Sequence, residues 1–440
     1  MHSAFLFGDW EQNFILSEEG IHRVIALARD RRDTLRKTPV KNICRAIERL
    51  SPLWSAEGSY RKEYLMTGPE KTLGLSVPMI TLGLDIFAAS LDEGELVHRL
   101  DQQLGGYGCV DAFVERGGRS YRAEPLGVVL HVAAGNIIFG PAESLFAGLL
   151  TKNVGIIKAP AGGWDFLRLL VKSLNEIAPD IARTIGLLYW PGGEESTERA
   201  MVSGVDGVQI ASGAEAISAY RRYALPHTAL IEFGPRASLA VISSDAADRV
   251  DMDGLAHDVA LWEQTACTSA QCIYVEGEEN AAKVADRLSV ALRDLSARLP
   301  EGNVTLDERI DIARMRELSS FGTIQGRSRL VSAFPDSTTT VVLEMDPDFE
   351  FSPLRRCVRV KSYKTPDELT GALEPLRGIL QTVGLAVDVR EFPDYRDRLC
   401  AAGVRRICRI GRMNQPGTQA IRDGVLELQR LVRWVEVDGA

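Results

Sequence analysis

From residue 120 onward, short apolar runs alternate with segments of helical periodicity, and this alternation constrains the fold of the 440-residue chain more than any other feature. A short apolar run fits a strand buried on both faces, and a helix then carries the chain back to begin the next parallel strand. Right-handed βαβ units of this kind build a parallel sheet that binds ligands at the carboxyl ends of its strands. The predicted strands are 127–131, 155–158, 185–190, 205–211 and 229–233, and the predicted helices between them are 141–150, 164–177, 195–203 and 214–223.

A second series of the same kind follows residue 232 and contains a strongly amphipathic segment at 281–299. The final residues of segment 425–437 alternate in polarity like an edge strand. The sequence therefore predicts an α/β protein with two doubly wound domains in series. The predicted strands of the second series are 239–242, 272–275, 339–343, 357–363, 382–387 and 404–410.

Residues 1 to 115 contain few strand-like runs. Apolar positions recur at intervals of three and four residues in 21–35, 40–50 and 82–104, and the glycine pair at 105–106 ends the last of these segments. We therefore predict that this part of the chain is mainly helical.

Composition excludes several classes of function. A net charge of −9 argues against a nucleic-acid-binding surface, which would require clustered lysine and arginine. No apolar run reaches the length of about 18 residues that a membrane span needs. The seven cysteines lack paired spacing and the six histidines lack metal-ligand spacing, so neither a disulfide framework nor a metal site is predicted. We expect a soluble, cytoplasmic protein.

Cys267 is the candidate nucleophile. It lies in a stretch of small and polar residues that leads into a predicted strand, so its thiol is expected at a bend. A catalytic cysteine needs surroundings that favour the thiolate. An isolated cysteine is more often a small buried hydrophobe, and that interpretation is kept for the other six. These six are Cys44, Cys109, Cys272, Cys357, Cys400 and Cys408.

An ordered series of motifs supports the catalytic interpretation. The motifs are Glu-Pro-Leu-Gly-Val-Val (124–129), Ala-Gly-Asn (134–136), Ile-Ile-Lys-Ala-Pro (156–160), Ala-Ser-Gly-Ala-Glu-Ala (211–216), Ile-Glu-Phe-Gly-Pro-Arg (231–236) and Glu-Gln-Thr-Ala-Cys (263–267). In this order they resemble the aldehyde dehydrogenase superfamily. The segment 131–136, the residues around Cys267 and a late Arg-Asp-Gly (422–424) resemble the LuxC-type fatty acyl-CoA reductases of bacterial bioluminescence.

The resemblance implies that Cys267 takes an acyl group from a thioester of CoA or of a carrier protein, and that hydride from a nicotinamide then releases an aldehyde. It assigns the side chain of Asn136 to the oxyanion and Glu232 to the general base of the superfamily. Because a reductase requires no attack by water, Glu232 would instead manage protons around the thiol. The structural alternatives are a Gly-Asn turn at Asn136 and a strand-end carboxylate at Glu232.

The resemblance also implies a nicotinamide cofactor, although the chain lacks the usual G-x-G-x-x-G fingerprint. Lys158 is assigned to the adenosine ribose. NAD-preferring members of the superfamily carry a glutamate three residues later, where this chain has Ala161, and a missing carboxylate removes repulsion against a 2′-phosphate. We therefore expect NADPH, with NADH as the alternative. The other residues assigned to the cofactor are Ser212, Gly213, Glu215 and Gly234, of which the first three surround a helix start suited to the pyrophosphate.

Two positions depart from the pattern of the family. The second glutamate of the superfamily aligns with Phe349, so the nearest carboxylate, that of Glu350, is displaced by one residue. Arg422 stands where the LuxC-like ending has histidine, so the role of that histidine is lost or replaced.

The expected organisation is a helical N-terminal part with a cofactor domain (1–232), a catalytic domain (233–410) and a tail (411–440). The tail strand is expected to pair with a hairpin near 120–122. In the superfamily this pairing joins subunits, so a homodimer or homotetramer is expected.

Three functions compete. The leading one is reduction of an acyl thioester, from acyl-CoA or an acyl carrier protein, to an aldehyde. The second is oxidation of an aldehyde to an acid or an acyl thioester. The third is a redox-inactive acyl-transfer or scaffold protein.

Overall fold

A computed structural model describes residues 2–333 and 337–438, and the chain divides into two compact units. The first unit comprises Met1–Leu73, Thr81–Gly234 and Gly417–Ala440, and the second comprises Gly74–Ile80 and Pro235–Pro416. The main division after Gly234 lies close to the predicted boundary at 232, whereas the C-terminal segment belongs with the first unit.

The strands occupy the apolar runs of the sequence because β-branched and other apolar side chains fill both faces of a covered sheet. In chain order they are β1 (His2–Leu6), β2 (Asp9–Phe14), β3 (Val114–Arg116), β4 (Arg119–Pro125), β5 (Val128–Val132), β6 (Val154–Lys158), β7 (Ile185–Leu188), β8 (Gly207–Ala211), β9 (Ala229–Phe233), β10 (Ala237–Ile242), β11 (Ala270–Glu276), β12 (Ser328–Ala333), β13 (Thr340–Glu344), β14 (Cys357–Tyr363), β15 (Leu380–Ala386), β16 (Arg406–Arg409) and β17 (Val432–Asp438).

The α-helices alternate with these strands, except in the N-terminal region, where they follow one another. In chain order they are α1 (Glu18–Asp30), α2 (Arg32–Arg36), α3 (Val40–Glu48), α4 (Ser51–Trp54), α5 (Ser59–Met66), α6 (Glu70–Leu73), α7 (Val77–Ser90), α8 (Glu93–Leu104), α9 (Gly140–Leu150), α10 (Trp164–Ile177), α11 (Pro179–Ala182), α12 (Glu195–Gly204), α13 (Ala214–Tyr223), α14 (Met252–Ala260), α15 (Glu278–Arg298), α16 (Leu306–Ile324), α17 (Pro366–Leu373), α18 (Phe392–Ala401) and α19 (Glu427–Arg430). Within the described ranges, no helix is both long and apolar enough to cross a membrane.

The sheet of the first unit has the strand order β2-β1-β7-β6-β5-β8-β9, and the strands from β7 to β9 are parallel. The chain builds outward from β5 through β6 to β7 and then returns to the other side of β5 with β8. Strand order therefore reverses between β5 and β8, which is where doubly wound sheets bind their ligands. All five residues of β5 are buried, so this strand has a fixed position beside the expected ligand-binding site.

The sheet of the second unit has the order β12-β13-β14-β11-β10-β15-β16. Its strands are parallel, except that β12 runs antiparallel to β13. The predicted fold class, two doubly wound α/β domains in series, agrees with these two sheets.

The N-terminal region differs from its prediction in two places. Strands β1 and β2 form a hairpin that extends the first sheet, because β1 pairs antiparallel with β7. The mixed burial of β2 gives it no alternating pattern to detect. The helix predicted over 82–104 is two helices, because the Asp92 side chain accepts a hydrogen bond from the Glu95 N–H at 2.9 Å and starts a new helix.

The C-terminal strand pairs with the predicted hairpin, but it does so within one chain. Strand β17 runs antiparallel to β4, with Val432 opposite Pro125 and Asp438 opposite Arg119, and β3 completes a three-stranded sheet. The role of this strand in joining subunits stays a prediction.

A buried carboxylate anchors the segment before β17. Glu427 is 1% exposed and pairs with Arg99 of α8 at 2.5 Å, while the Gln209 side-chain amide on β8 and Arg422 also contact it. Since a buried charge is tolerated only when it is paired and hydrogen-bonded, these partners fix the position of α19.

We predict that Glu427→Ala lowers the free energy of unfolding by about 3 kcal/mol, because Arg99 then keeps an uncompensated charge in the interior. The matched control is Glu436→Ala, which removes an exposed pair with Arg119 on β17 and is expected to cost no more than about 0.5 kcal/mol. Urea unfolding at pH 7 measures both. Equal losses in the two variants would contradict the anchoring role.

Candidate active site

Four residues predicted for catalysis or cofactor binding lie at the carboxyl ends of neighbouring strands of the first sheet. Lys158 is the last residue of β6, Asn136 lies in the loop after β5, and Ser212 follows β8. Glu232 lies next to the end of β9. The structure therefore gathers them along one edge of the sheet, on either side of the point where strand order reverses.

Lys158 lies in a partly desolvated position. Its Nζ is 5.4 Å from the centroid of the Trp190 ring, and burial lowers the pKa of the lysine, while Glu198 and Glu194 act in the opposite direction. Trp190 is 2% exposed, and its Nε1 has no hydrogen-bond partner among the described residues. A cation and a buried donor at a strand end suit the hydroxyl oxygens of a ribose, so these residues fit the adenosine part of a nicotinamide cofactor.

The start of α13 fits a phosphate. Gly213 is its N-cap residue, and within the described ranges no side chain caps this helix. The first-turn N–H groups of a helix lack intrahelical partners and carry partial positive charge, so they bind anions. A Cβ at Gly213 would meet open space, which leaves room for a ligand, and the backbone of Ser212 is fixed by its N–H donating to Phe233 O at 3.2 Å. Glu215 is exposed in the same turn, and Gly234 follows β9.

Acidic groups approach Lys158 from the start of α12, a helix to which the sequence analysis assigned no site residue. Ala161 is exposed in the loop after β6 and supplies no carboxylate. Glu194, the exposed residue at the N-cap of α12, and the buried Glu198 are the groups that act on the lysine. The sequence signal that could have revealed these acidic groups is the pair Glu194-Glu195, which follows the turn at 191–193.

Glu232, the predicted base, is held in an ion pair. Both of its carboxylate oxygens accept hydrogen bonds from Arg221 of α13, at 2.6 Å from Nε and 2.5 Å from Nη2. The side chain of Glu232 is 21% exposed and that of Arg221 is 61% exposed. A guanidinium that binds both oxygens fixes the orientation of the carboxylate.

Asn136, the predicted oxyanion donor, is exposed in the loop between β5 and α9. The preceding Gly135 packs so closely against Pro160 that an added Cβ would lie 3.0 Å from the proline Cβ. Glycine therefore lets this loop approach the loop after β6.

Cys267 lies in the second unit, in the loop that enters β11 at its amino end. Its carbonyl accepts a hydrogen bond from Ser238 Oγ at 2.7 Å, and Ser238 Oγ in turn accepts one from the Thr382 N–H at 3.1 Å. The loop is therefore tied to β10 and β15. The bend predicted for the thiol is present.

Asn414 holds the residues that follow the cysteine. Its side-chain oxygen accepts hydrogen bonds from Thr268 Oγ1 at 2.8 Å and Ser269 Oγ at 3.1 Å. Its Nδ2 donates to the Asp258 carbonyl at 3.0 Å, at the end of α14. Asn414 is 6% exposed and was missed by the sequence analysis, because its partners are more than 140 residues away.

The side chain of Cys267 is more accessible to solvent than those of four of the other six cysteines. Burial raises the pKa of Cys44, Cys272 and Cys357 to about 12 and that of Cys408 to about 11, and it also raises the pKa of Cys109. Cys267 is partly accessible and Cys400 is exposed. A buried thiol that resists ionisation is a poor nucleophile.

The two departures from the family pattern have clear positions. Glu350 forms an ion pair with Arg359 at 2.8 Å, and Phe349 packs edge-on against Phe351. Arg422 lies over the ring of Phe233 at 4.2 Å, and its Nη1 donates to Ser144 Oγ at 3.2 Å. A guanidinium therefore stands beside the end of β9. The described residues contain no cluster of potential metal ligands.

Comparisons with known proteins show which sequences and folds this chain is similar to. A family model described as acyl-CoA reductase (LuxC) matches residues 35–434. A long-chain acyl-protein thioester reductase of Vibrio harveyi is 28% identical over 411 residues, covering 92% of this chain and 83% of the relative. Its counterpart in Aliivibrio fischeri is 28% identical over 386 residues, covering 87% and 79%.

Solved aldehyde dehydrogenases share the fold. Aldehyde dehydrogenase C of Pseudomonas syringae, in complex with NAD+ and octanal, matches with a TM-score of 0.71 at 14% identity, covering 99% of this chain and 96% of its own. An NAD-dependent benzaldehyde dehydrogenase of Corynebacterium glutamicum matches with a TM-score of 0.72 at 13% identity, covering 100% and 97%.

We predict that iodoacetamide labels Cys267 and Cys400 in the folded protein and leaves the four buried cysteines unmodified. The partly accessible Cys408 is also expected to stay unmodified, because burial raises its pKa to about 11. Cys267 is expected to react faster than Cys400, because a nucleophilic cysteine requires surroundings that favour the thiolate. Peptide mass spectrometry after timed labelling between pH 6 and 9 measures both sites, and Cys400 serves as the internal control. Slower labelling of Cys267 throughout this range would contradict a nucleophilic role.

Proposed function

Because the chain belongs to the LuxC family of acyl-CoA reductases, an oxidoreductase family, we propose that it reduces an acyl thioester to an aldehyde through an acyl group held on Cys267. The observation that carries the proposal is the placement of this thiol. It is partly accessible and lies in a loop fixed by Ser238 and Asn414, whereas four of the other cysteines are buried and burial raises the pKa of a fifth, Cys408, to about 11.

In the proposed reaction, the Cys267 sulfur attacks the carbonyl carbon of the acyl thioester. The bond from that carbon to the departing thiol breaks, and the thiol leaves with a proton. When bound, the nicotinamide supplies a hydride to the acyl carbon. The resulting thiohemiacetal loses its C–S bond, so that the aldehyde leaves and Cys267 regains its sulfur electron pair.

Asn136 is proposed as a side-chain donor to the oxyanion, where loss of one donor typically raises the barrier by about 3 kcal/mol. For Glu232 we propose proton handling rather than activation of water. Its ion pair with Arg221 favours this assignment over activation of water, because the guanidinium engages both carboxylate oxygens and leaves fewer positions at which a water could be held.

For the cofactor we propose NADPH, bound by Lys158, Ser212, Gly213, Glu215 and Gly234. The absence of a carboxylate at Ala161 supports this choice. The exposed Glu194 supports the alternative, NADH, because a carboxylate near Lys158 suits a free ribose hydroxyl better than a phosphate.

For the acyl donor we propose an acyl-protein, since the curated relatives are named for that substrate class, with acyl-CoA as the second candidate. A homodimer or homotetramer stays a prediction.

We predict that the protein converts an acyl thioester and NADPH to aldehyde, and that Cys267→Ala abolishes the conversion because no acyl-enzyme forms. Acyl-CoAs of graded length and an acylated carrier protein are supplied, and cofactor oxidation and aldehyde are both quantified. Cys400→Ala is the control and is expected to retain activity. Acid as the sole product would favour the oxidative function. Failure to consume cofactor with any donor would favour a redox-inactive acyl-transfer protein.

We predict that Ala161→Glu lowers kcat/KM for NADPH by about tenfold or more and leaves kcat/KM for NADH within twofold, because the new carboxylate repels a 2′-phosphate. Glu194→Gln is the reciprocal variant and is expected to improve the use of NADPH. Initial rates with each cofactor give kcat/KM of each of the two variants relative to the wild-type protein, once with NADPH and once with NADH. A wild-type protein that uses NADH better than NADPH would contradict the proposed cofactor.

A further inference from the structure

Two runs of left-handed backbone lie in the second unit, one of them directly before the Cys267 loop. Trp262, Glu263 and Gln264 have φ of 58°, 51° and 63°. Residues 354–356 have φ of 66°, 54° and 62°. Left-handed conformations strain residues with a Cβ and normally occur singly, so two runs of three require surroundings that hold them.

One buried ion pair joins the two runs. The guanidinium of Arg356 binds the carboxylate of Glu263 at both oxygens, with distances of 2.9 Å from Nε to Oε2 and 2.7 Å from Nη2 to Oε1. The two side chains are 0% and 1% exposed. The backbone of Arg355 also donates to the Glu263 carbonyl at 3.1 Å, so the runs are bound through both backbone and side chains.

The remaining polar atoms of this pair have partners as well. Nη1 of Arg356 donates to Ser296 Oγ at 3.0 Å and to the Leu299 carbonyl at 2.8 Å, and the Gly302 N–H donates to Oε1 of Glu263 at 3.2 Å. A fully hydrogen-bonded buried pair has one geometry and little freedom to move. We call Glu263 and Arg356 the clamp.

The clamp is connected to the thiol by a short, internally bonded stretch of chain. The Gln264 side chain donates to the Ala270 carbonyl at 2.8 Å and so spans the loop that carries Cys267. The N–H of Thr265, the residue after the left-handed run, donates to the Trp262 carbonyl at 3.0 Å and so closes the run into a turn. A shift of Glu263 would therefore move the start of the loop relative to its end at β11.

We propose that Glu263 and Arg356 are positioning residues that hold the Cys267 sulfur in the orientation needed for attack on the acyl donor. This inference rests on the proposed function, because it takes Cys267 as the nucleophile. Misplacement of a reacting atom by about 1 Å costs on the order of 100-fold in rate, so the clamp is expected to affect kcat more than binding.

The test uses the double variant Glu263→Gln/Arg356→Met, which removes both charges and so avoids a single unpaired charge in the interior. The matched control is Glu344→Gln/Lys361→Met, which removes another buried pair of the same unit, with a separation of 2.7 Å. Arg356→Lys is a milder variant that keeps the positive charge but loses the two-pronged geometry.

Two measurements are made on each folded variant. Alkylation of Cys267 is followed by mass spectrometry across pH 6 to 9, and steady-state kinetics with an acyl-CoA separates kcat from KM. For the clamp variant we expect kcat to fall ~10- to 100-fold with KM within twofold, and the rate of Cys267 alkylation to fall by about threefold or more across the pH range. The control is expected to change neither by more than twofold, and Arg356→Lys is expected to shift both in the same direction as the double variant but less.

Wild-type kcat and an unchanged alkylation profile in the clamp variant would overturn the proposal, as would losses equal to those of the control. If the double variant does not fold, Arg356→Lys decides by the same criteria. Alkylation needs no acyl substrate, so it reports on positioning even if Cys267→Ala retains reductase activity. That last result would overturn the proposed function instead.

Discussion

The parallel pairing of β5 with β6 on one side and β8 on the other is the constraint on which the first unit depends. All five residues of β5 are buried, so a shift of one residue in register would move each side chain to the opposite face of the sheet, where it would not fit its packing neighbours. The same pairing fixes where the three strands end. As a result, Lys158, Asn136 and Ser212, which are far apart in the sequence, meet along one edge of the sheet.

Buried carboxylates serve the same purpose in both units. Glu427 is held by Arg99 and Gln209 and anchors the segment before β17, while Glu263 is held by Arg356 and stabilises strained backbone. In each case the charge lies in the interior, where a partial set of partners would destabilise the fold. These pairs therefore specify one arrangement of an irregular segment that apolar packing would leave less well defined.

Most of the regular fold could be predicted from the sequence, because strands such as 357–363 and helices such as 164–177 carry strong periodic signals. The hairpin of β1 and β2 could not, since its stability comes from pairing with β7 rather than from its own pattern. Among the candidate site residues, motif order singled out Cys267 and Lys158, whose roles stay predictions. Asn414, Arg221 and the Glu263–Arg356 pair could not be found, because their roles arise from contacts between distant or unremarkable positions.

The first unit is discontinuous, since β17 completes the sheet of β3 and β4 from the far end of the chain. During synthesis, residues 235–416 emerge before this last strand exists. Most residues of the second unit are therefore available for folding while one edge of β4 is still unpaired. Closure of the first unit is thus delayed until β17 has been synthesised, and a chain cut before β17 would carry an open, aggregation-prone strand.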